Sequence, residues 1–197
     1  PTEAGPWVLR TADDQLLNVA RTTVSGFDVA ADYAFGLDRV VRSGRDPGRI
    51  SLRAMMTFYD KAEQVPLPRQ ATVDLLDAAG GSTSDQGFIK RVGVANIGYS
   101  LRSVSLNWNL RYIGRTRMAP TGFLPDGFPE IGSHLYHNVR VGYRWRESDL
   151  YVGVNNLFDK EPPFFATGAS GTQALDTIPA YYDVFGRTVF GGFRARF

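Results

Sequence analysis

Apolar and polar residues alternate without exception from Val104 to Tyr112. Val104, Leu106, Trp108, Leu110 and Tyr112 fall on one parity, and Ser105, Asn107, Asn109 and Arg111 on the other. A period of two belongs to an extended strand with two unlike faces, whereas a helix would scatter these residues around its circumference. The pattern recurs where Phe27, Val29, Ala31, Tyr33 and Phe35 oppose Asp28, Ala30, Asp32 and Ala34, and where Ile50, Leu52, Ala54, Met56 and Phe58 oppose Ser51, Arg53, Met55 and Thr57. It returns with Val139, Val141, Tyr143 and Trp145 against Asn138, Arg140, Gly142 and Arg144, and with Phe193, Ala195 and Phe197 against Arg194 and Arg196. Weaker stretches lie at 90–101 and 150–154. Seven strands are therefore predicted, over 18–36, 49–64, 88–101, 104–117, 132–145, 149–157 and 184–197.

The connections alternate between short and long. Arg102-Ser103 and 146–148 are tight turns, while 65–87, 118–131 and 159–183 are long and rich in Gly, Pro, Ser, Thr and Asp, as irregular loops are. A medium connection over 38–48, with Ser43-Gly44 and Asp46-Pro47-Gly48, falls at the short-turn end. All three long loops are expected at the opposite end of one antiparallel sheet.

A soluble sandwich alternates too, so the position of the aromatics carries the distinction. On the apolar parity Tyr33, Phe35, Tyr99, Tyr143, Trp145 and Phe197 all map close to the short-turn end, as a membrane-interface girdle would. Phe58 and Tyr112 form a thinner belt at the other end. The opposite parity carries Asp28, Asp32, Arg53, Asn107, Asn109, Arg111, Asn138, Arg140, Arg144, Arg194 and Arg196, a set too costly for a dry core without a dense ion-pair network. The fold class expected is all-β, a transmembrane antiparallel β-barrel with a wet or protein-filled lumen. Seven strands cannot close such a barrel with antiparallel pairs alone, so more strands are expected than the chain contains.

Composition changes this picture little. The 197 residues carry 22 Lys+Arg against 20 Asp+Glu, and this balance gives no reason to expect a nucleic-acid partner. There is no cysteine, which excludes a disulfide scaffold, a zinc-thiolate site and a thiol nucleophile. Apolar runs are far shorter than the ~18–20 residues of a spanning helix. The chain opens on Pro1 with no secretory signal, so a piece of a longer polypeptide is expected.

The last third carries a motif: Leu150-Tyr151-Val152-Gly153-Val154-Asn155-Asn156-Leu157-Phe158-Asp159-Lys160, then Tyr182-Asp183, Gly186-Arg187 and a terminal Phe197. This resembles the C-terminal end of the TonB-dependent outer-membrane receptors. Gly26-Phe27-Asp28-Val29, the segment 49–61 and Leu110-Arg111-Tyr112-Ile113-Gly114-Arg115 resemble that family's barrel strands, so the likeness covers nearly the whole chain. The resemblance implies the last seven strands of a roughly 22-stranded plugged barrel in the outer membrane of a Gram-negative bacterium. It implies energy-coupled uptake of a scarce nutrient, such as a ferric chelate, an oligosaccharide or another small polar or aromatic ligand. It also implies, as partners, outer-membrane lipids, a plug domain and the TonB energy-coupling complex, the last two through parts that this sequence lacks. A surface or periplasmic partner is a further expectation. Phe197, after Gly192 and Phe193, resembles the signal that the barrel assembly machinery reads.

Candidate ligand contacts are the inward residues near the long-loop end, namely Tyr59, Lys61, Lys90, Arg111, Arg115, Arg117 and Tyr136, with Phe123, Phe164 and Phe165 from the loops. Aromatics beside cationic donors suit a polar or anionic ligand with a flat face. Pairing of the arginines with plug carboxylates is the plainer alternative. Nearer the short turns Asp32, Arg53, Asn107, Arg144, Arg194 and Arg196 are expected to face the plug. The only histidines, His134 and His137, are three apart on a strand, which puts their rings on opposite faces and argues against a shared metal. No catalytic constellation, phosphate loop or dinucleotide fingerprint is present, and neither enzyme activity nor a cofactor is expected. The competing readings are a separate structural barrel segment, a small outer-membrane enzyme and a soluble sandwich.

Overall fold

The structure, a computed structural model, describes residues 21–40, 46–65, 71–79, 87–118, 130–164 and 177–195. Its strands are β1 (Arg21–Gly36), β2 (Arg49–Val65), β3 (Val73–Asp74), β4 (Ala78–Ala79), β5 (Arg91–Leu101), β6 (Val104–Ile113), β7 (Arg117–Met118), β8 (His134–Trp145), β9 (Ser148–Asn155) and β10 (Thr188–Arg194). Seven of them form an antiparallel up-and-down sheet in the order β1-β2-β5-β6-β8-β9-β10, with β3 added alongside β2. The sheet is open. Among the described residues β1 and β10 are its edges and do not pair with each other, so no closed barrel is formed. Each of the seven strands predicted from alternation is there.

The tight hairpins turn at Arg102 and Arg146, whose φ values of 50° and 54° are the left-handed geometry that two-residue β-turns require. All long connections leave from the opposite end. Two of the loops expected to be irregular contain structure instead. Leu75 N donates to the Ala62 carbonyl at 2.8 Å, which seats β3 against β2, and β4 pairs in parallel with β7. Burial of Ala62 and Leu75 is the physical reason. The predicted strand over 104–117 correspondingly ends at Ile113. Thr116 then bridges to Ile131, and Arg117 N donates to the Asp77 carbonyl.

One register shift matters. Between Ser25 and Gly26 the pairing skips Asp60, so Gly26 stands opposite Tyr59 but Ser25 stands opposite Lys61. Beyond such a bulge the two strands' side-chain faces are re-phased.

The two faces of the sheet differ as the parity predicts. On the apolar face Phe193 is 62% exposed, Val189 71% and Trp145 57%, and Phe27, Val29, Tyr33, Leu52, Leu106, Trp108, Val141, Tyr143 and Val152 are exposed as well. No layer of described residues covers it, although the Phe158 ring meets His137 there edge-on. The buried core lies elsewhere, at the long-loop end, where Ile178 and Tyr182 of the β9–β10 connection pack with Ile89, Ile113 and Tyr136. Ile113 and Tyr136 belong to the polar parity, so this connection folds over the polar face. Each fully buried isoleucine there contributes about 1.5–3 kcal/mol.

Candidate functional site

A row of polar side chains crosses five strands of the polar face. Asp32 stands opposite Arg53, Arg53 opposite Asn96, Asn96 opposite Asn109, and Asn109 opposite Asn138. Asp32 accepts from Arg53 Nε. Asn109 Nδ2 donates to Asn96 Oδ1 at 2.9 Å, and Asn138 Nδ2 donates to Asn109 Oδ1 at 3.0 Å. Asn138 Oδ1 in turn accepts from Asn156 N at 2.9 Å. Four residues along the same pair of strands Thr57 donates to Asp28 at 2.6 Å. Amide carries donor and acceptor together, so identical side chains on adjacent strands can chain head to tail.

At the long-loop end two of the expected ligand contacts are engaged within the chain. Arg111 donates to the Tyr181 carbonyl at 2.9 Å, and its guanidinium lies 4.8 Å from the centre of the Tyr136 ring. Tyr136 is 2% exposed, and its hydroxyl accepts from Asp183 N at 3.3 Å. Tyr181 donates to the Gly87 carbonyl at 2.6 Å, and the Tyr182 hydroxyl is 3.1 Å from Thr116 Oγ1. Burial pushes both phenols above the ordinary tyrosine value, with neighbouring tyrosines adding to the rise. His134 stacks edge-on to Tyr182 at 5.1 Å, on the polar side. His137, opposite Leu110, lies on the apolar side, so the two rings do part as their spacing demands.

The other candidates divide. Arg115 pairs with Glu130 at 3.6 Å, and Arg117 with Asp74 at 3.5 Å. Lys90 and Arg115 share a recess of about 570 Å³ at the long-loop rim with Asp77, Arg91 and Glu130. Phe164 is 72% exposed, and Tyr59 packs edge-on to Phe88. Lys61 is a correction to the inward set. The bulge at Asp60 aligns it with Ser25 and hence with the parity of Phe27, and it pairs with Glu63 at 3.0 Å. Phe123 and Phe165 lie outside the described residues.

Nearer the short turns Asp32 and Arg53 pair with each other, Asn107 stands between Gly98 and Arg140, and Arg144 donates to Asp149 at 3.1 Å. Arg194 stands opposite Asp149. Arg196 and Phe197 lie outside the described residues. Of the girdle, Phe35 and Tyr99 fall in one cross-strand row through Ile50, Tyr143 stands opposite Val104 and Leu150, and Trp145 opposite Ser148. Tyr33 and Phe35 rings are 5.4 Å apart, and Tyr99 anchors the neighbouring connection by donating to the Pro47 carbonyl at 2.9 Å.

The motif residues at the end of β9 form a stitch between strands. Asn156, 1% exposed and at φ 49°, closes its own turn by donating to the Lys160 carbonyl and accepting from Lys160 N. Asp159 accepts from Arg187 N at 2.7 Å and pairs with the Arg187 guanidinium at 3.6 Å. Gly186 sits between at φ 67°, a conformation open to glycine at little cost. Asn156, Asp159 and Arg187 thus tie the start of β10 to the end of β9. In the sequence these residues stand out only as a pattern, and Asn96 is hidden there because its neighbours Val94 and Gly98 blur the alternation.

Among the described residues no three His, Asp or Glu side chains cluster as a metal site would require. Compared with known proteins, the chain matches no protein-family model, no curated protein and no solved structure.

Proposed function

We propose that this chain forms part of an outer-membrane β-barrel transporter of the TonB-dependent type, importing a small polar or aromatic nutrient across a Gram-negative outer membrane. The observation that carries the reading is the exposed apolar face, which runs across all seven main strands and has no covering layer among the described residues. Facing water, a patch of that extent is unfavourable, whereas hydrocarbon accepts it. The polar face supports the same orientation. Its Asp32–Arg53 pair and its asparagine row suit a hydrated or protein-filled lumen better than a sandwich core. In a membrane the open edges of β1 and β10 must be paired by further strands, because unsatisfied backbone groups in lipid cost several kcal/mol each.

Uptake and energy coupling rest on the sequence resemblance around 150–160 and 182–187. The reachable cations at the long-loop end, Lys90, Arg115 and Arg117, together with Phe164, are the residues that would meet a ligand there.

Tryptophan quenching tests the orientation. With Trp7 replaced by Phe, emission comes from Trp108 and Trp145, both on the apolar parity. In vesicles, phospholipid brominated along its chains should quench both, while aqueous iodide should quench little. Strong iodide quenching with no effect of bromine would reject the membrane reading.

A further inference from the structure

We propose that the apolar face carries a site for one glycerophospholipid, with an acyl chain lying in a trough across β1, β2 and β5 and the phosphate held by Arg91 at its mouth. The trough has a volume of about 360 Å³. Small residues make its floor: Ala31 stands opposite Ala54, Ala54 stands opposite Ala95, and Gly93 follows two residues nearer the long-loop end. Val29, Met56 and Leu110 stand higher around it. A methylene chain laid between such neighbours gains contacts on several sides, which a flat face does not offer. Met56 leans over Gly93, where a Cβ would meet its Sδ, and an unbranched thioether can move aside to admit a chain.

A cation waits at the end of the trough. Tyr112, opposite Gly93, lines both the trough and the recess of about 570 Å³ at the long-loop rim. Arg91 lines that recess too, and it stands opposite Phe58, which places it on the apolar face. From Gly93 to Arg91 is two residues, about 7 Å along an extended strand. Among the described residues Arg91 makes no ion pair. The two carboxylates of the recess are engaged, Glu130 with Arg115 and Asp77 with the backbone N–H of Lys90. A guanidinium rising from an apolar surface beside Phe58 and Tyr112 sits at the level where hydrocarbon gives way to head groups.

Charge and shape select the lipid. One guanidinium fork is filled by one phosphodiester in bidentate geometry. The two phosphates of a diphosphorylated glycolipid would bring further negative charge against Asp77 and Glu130, and like charges so placed oppose binding. A neutral lipid would leave Arg91 without a partner.

This inference rests on the membrane orientation of the apolar face proposed above. The test is native mass spectrometry of the full chain released from uncharged detergent, titrated with phosphatidylglycerol, with diacylglycerol of the same chains, and with diphosphoryl lipid A. One phosphatidylglycerol should bind at least about fivefold more tightly than either comparator. Arg91→Gln should remove that margin. Ala95→Phe fills the trough, leaves the guanidinium in place, and should weaken phosphatidylglycerol by a similar factor. Should Arg91→Gln fail to fold, Ala95→Phe decides. Equal binding of diacylglycerol, tighter binding of lipid A, or undiminished phosphatidylglycerol affinity in either variant would overturn the site. If bromolipid still quenches Trp108 and Trp145 in that case, the site alone has failed, whereas loss of that quenching rejects the orientation itself.

Discussion

Trp108 Nε1 donates a hydrogen bond to Nδ1 of His137 at 3.2 Å on the apolar face of the sheet, between residues of β6 and β8. The imidazole also meets the Phe158 ring edge-on at 4.8 Å. A polar pair on an otherwise apolar surface satisfies each partner locally, which matters most where water is scarce. In a double-mutant cycle of Trp108→Phe and His137→Leu, the coupling should be about 0.5–1.5 kcal/mol. Urea unfolding in detergent reads it, and additive effects would mean that the bond contributes nothing.

The asparagine row predicts an asymmetry between two substitutions. Asn109→Ala removes both the bond to Asn96 and the bond from Asn138, at a cost of about 1–2 kcal/mol. Asn109→Asp keeps an acceptor for Asn138 and loses only the donor to Asn96. It should therefore fall between the wild type and the alanine variant in unfolding midpoint, and an aspartate variant less stable than alanine would contradict the assignment.

Asn156→Ala should be among the costlier single changes outside the core. It deletes the two side-chain bonds to Lys160 and puts alanine at φ 49°, together about 2–3 kcal/mol. Asp159→Ala, which releases Arg187, should cost less, about 1 kcal/mol, but should open the β9–β10 connection to limited proteolysis first. Equal protease resistance in both variants and the wild type would show that the stitch does not hold that connection.

Arg111 and Arg115 should behave differently although both are cationic and near the same loops. Arg111→Ala should lower stability, since it frees the Tyr181 carbonyl and the packing over Tyr136. Arg115→Ala should leave stability within about 0.5 kcal/mol, its pair with Glu130 being exposed, and should act on ligand uptake if it acts at all. Unfolding and uptake measured on the same two variants separate these outcomes.

Burial raises the Tyr181 and Tyr182 phenols above the value of an unfolded tyrosine, about 10. The folded state then holds these protons more tightly than the unfolded state. The stabilisation is whole below pH of about 10 and is lost as pH rises from there through the raised folded values. Absorbance at high pH should show Tyr181 and Tyr182 ionising late, and Tyr181→Phe/Tyr182→Phe should remove their contribution and flatten the decline in stability. A titration in which every phenol ionises together would exclude the effect.

Strand order and number were legible because each main strand carries a full run of alternation and the short turns force antiparallel neighbours. What alternation does not encode is a shift of phase. Asp60 enters β2 without disturbing composition, so Lys61 reads as inward while its pairing with Ser25 moves it across. The closing of 177–187 over Arg111 and Tyr136 was also hidden. Ile178, Tyr181 and Tyr182 lie in a segment without periodicity, and their burial depends on partners roughly 40 to 90 residues away in the chain. Residues that look like ligand contacts in sequence thus serve a loop of the same chain.

The repetition of asparagine at 107 and 109 has a kinetic side. Sliding β6 by two residues would set Asn107 where Asn109 now stands, between Asn96 and Asn138, and the amide chain could be remade in the wrong alignment. Such a near-copy of the native pairing is a ready trap for a sheet still assembling. Two features remove the degeneracy. The hairpin at Arg102 permits only one loop length, and Ile113 would be drawn about 7 Å out of its packing with Tyr136 and Tyr182. The amide row by itself is thus ambiguous, and the turn and one isoleucine decide which alignment survives.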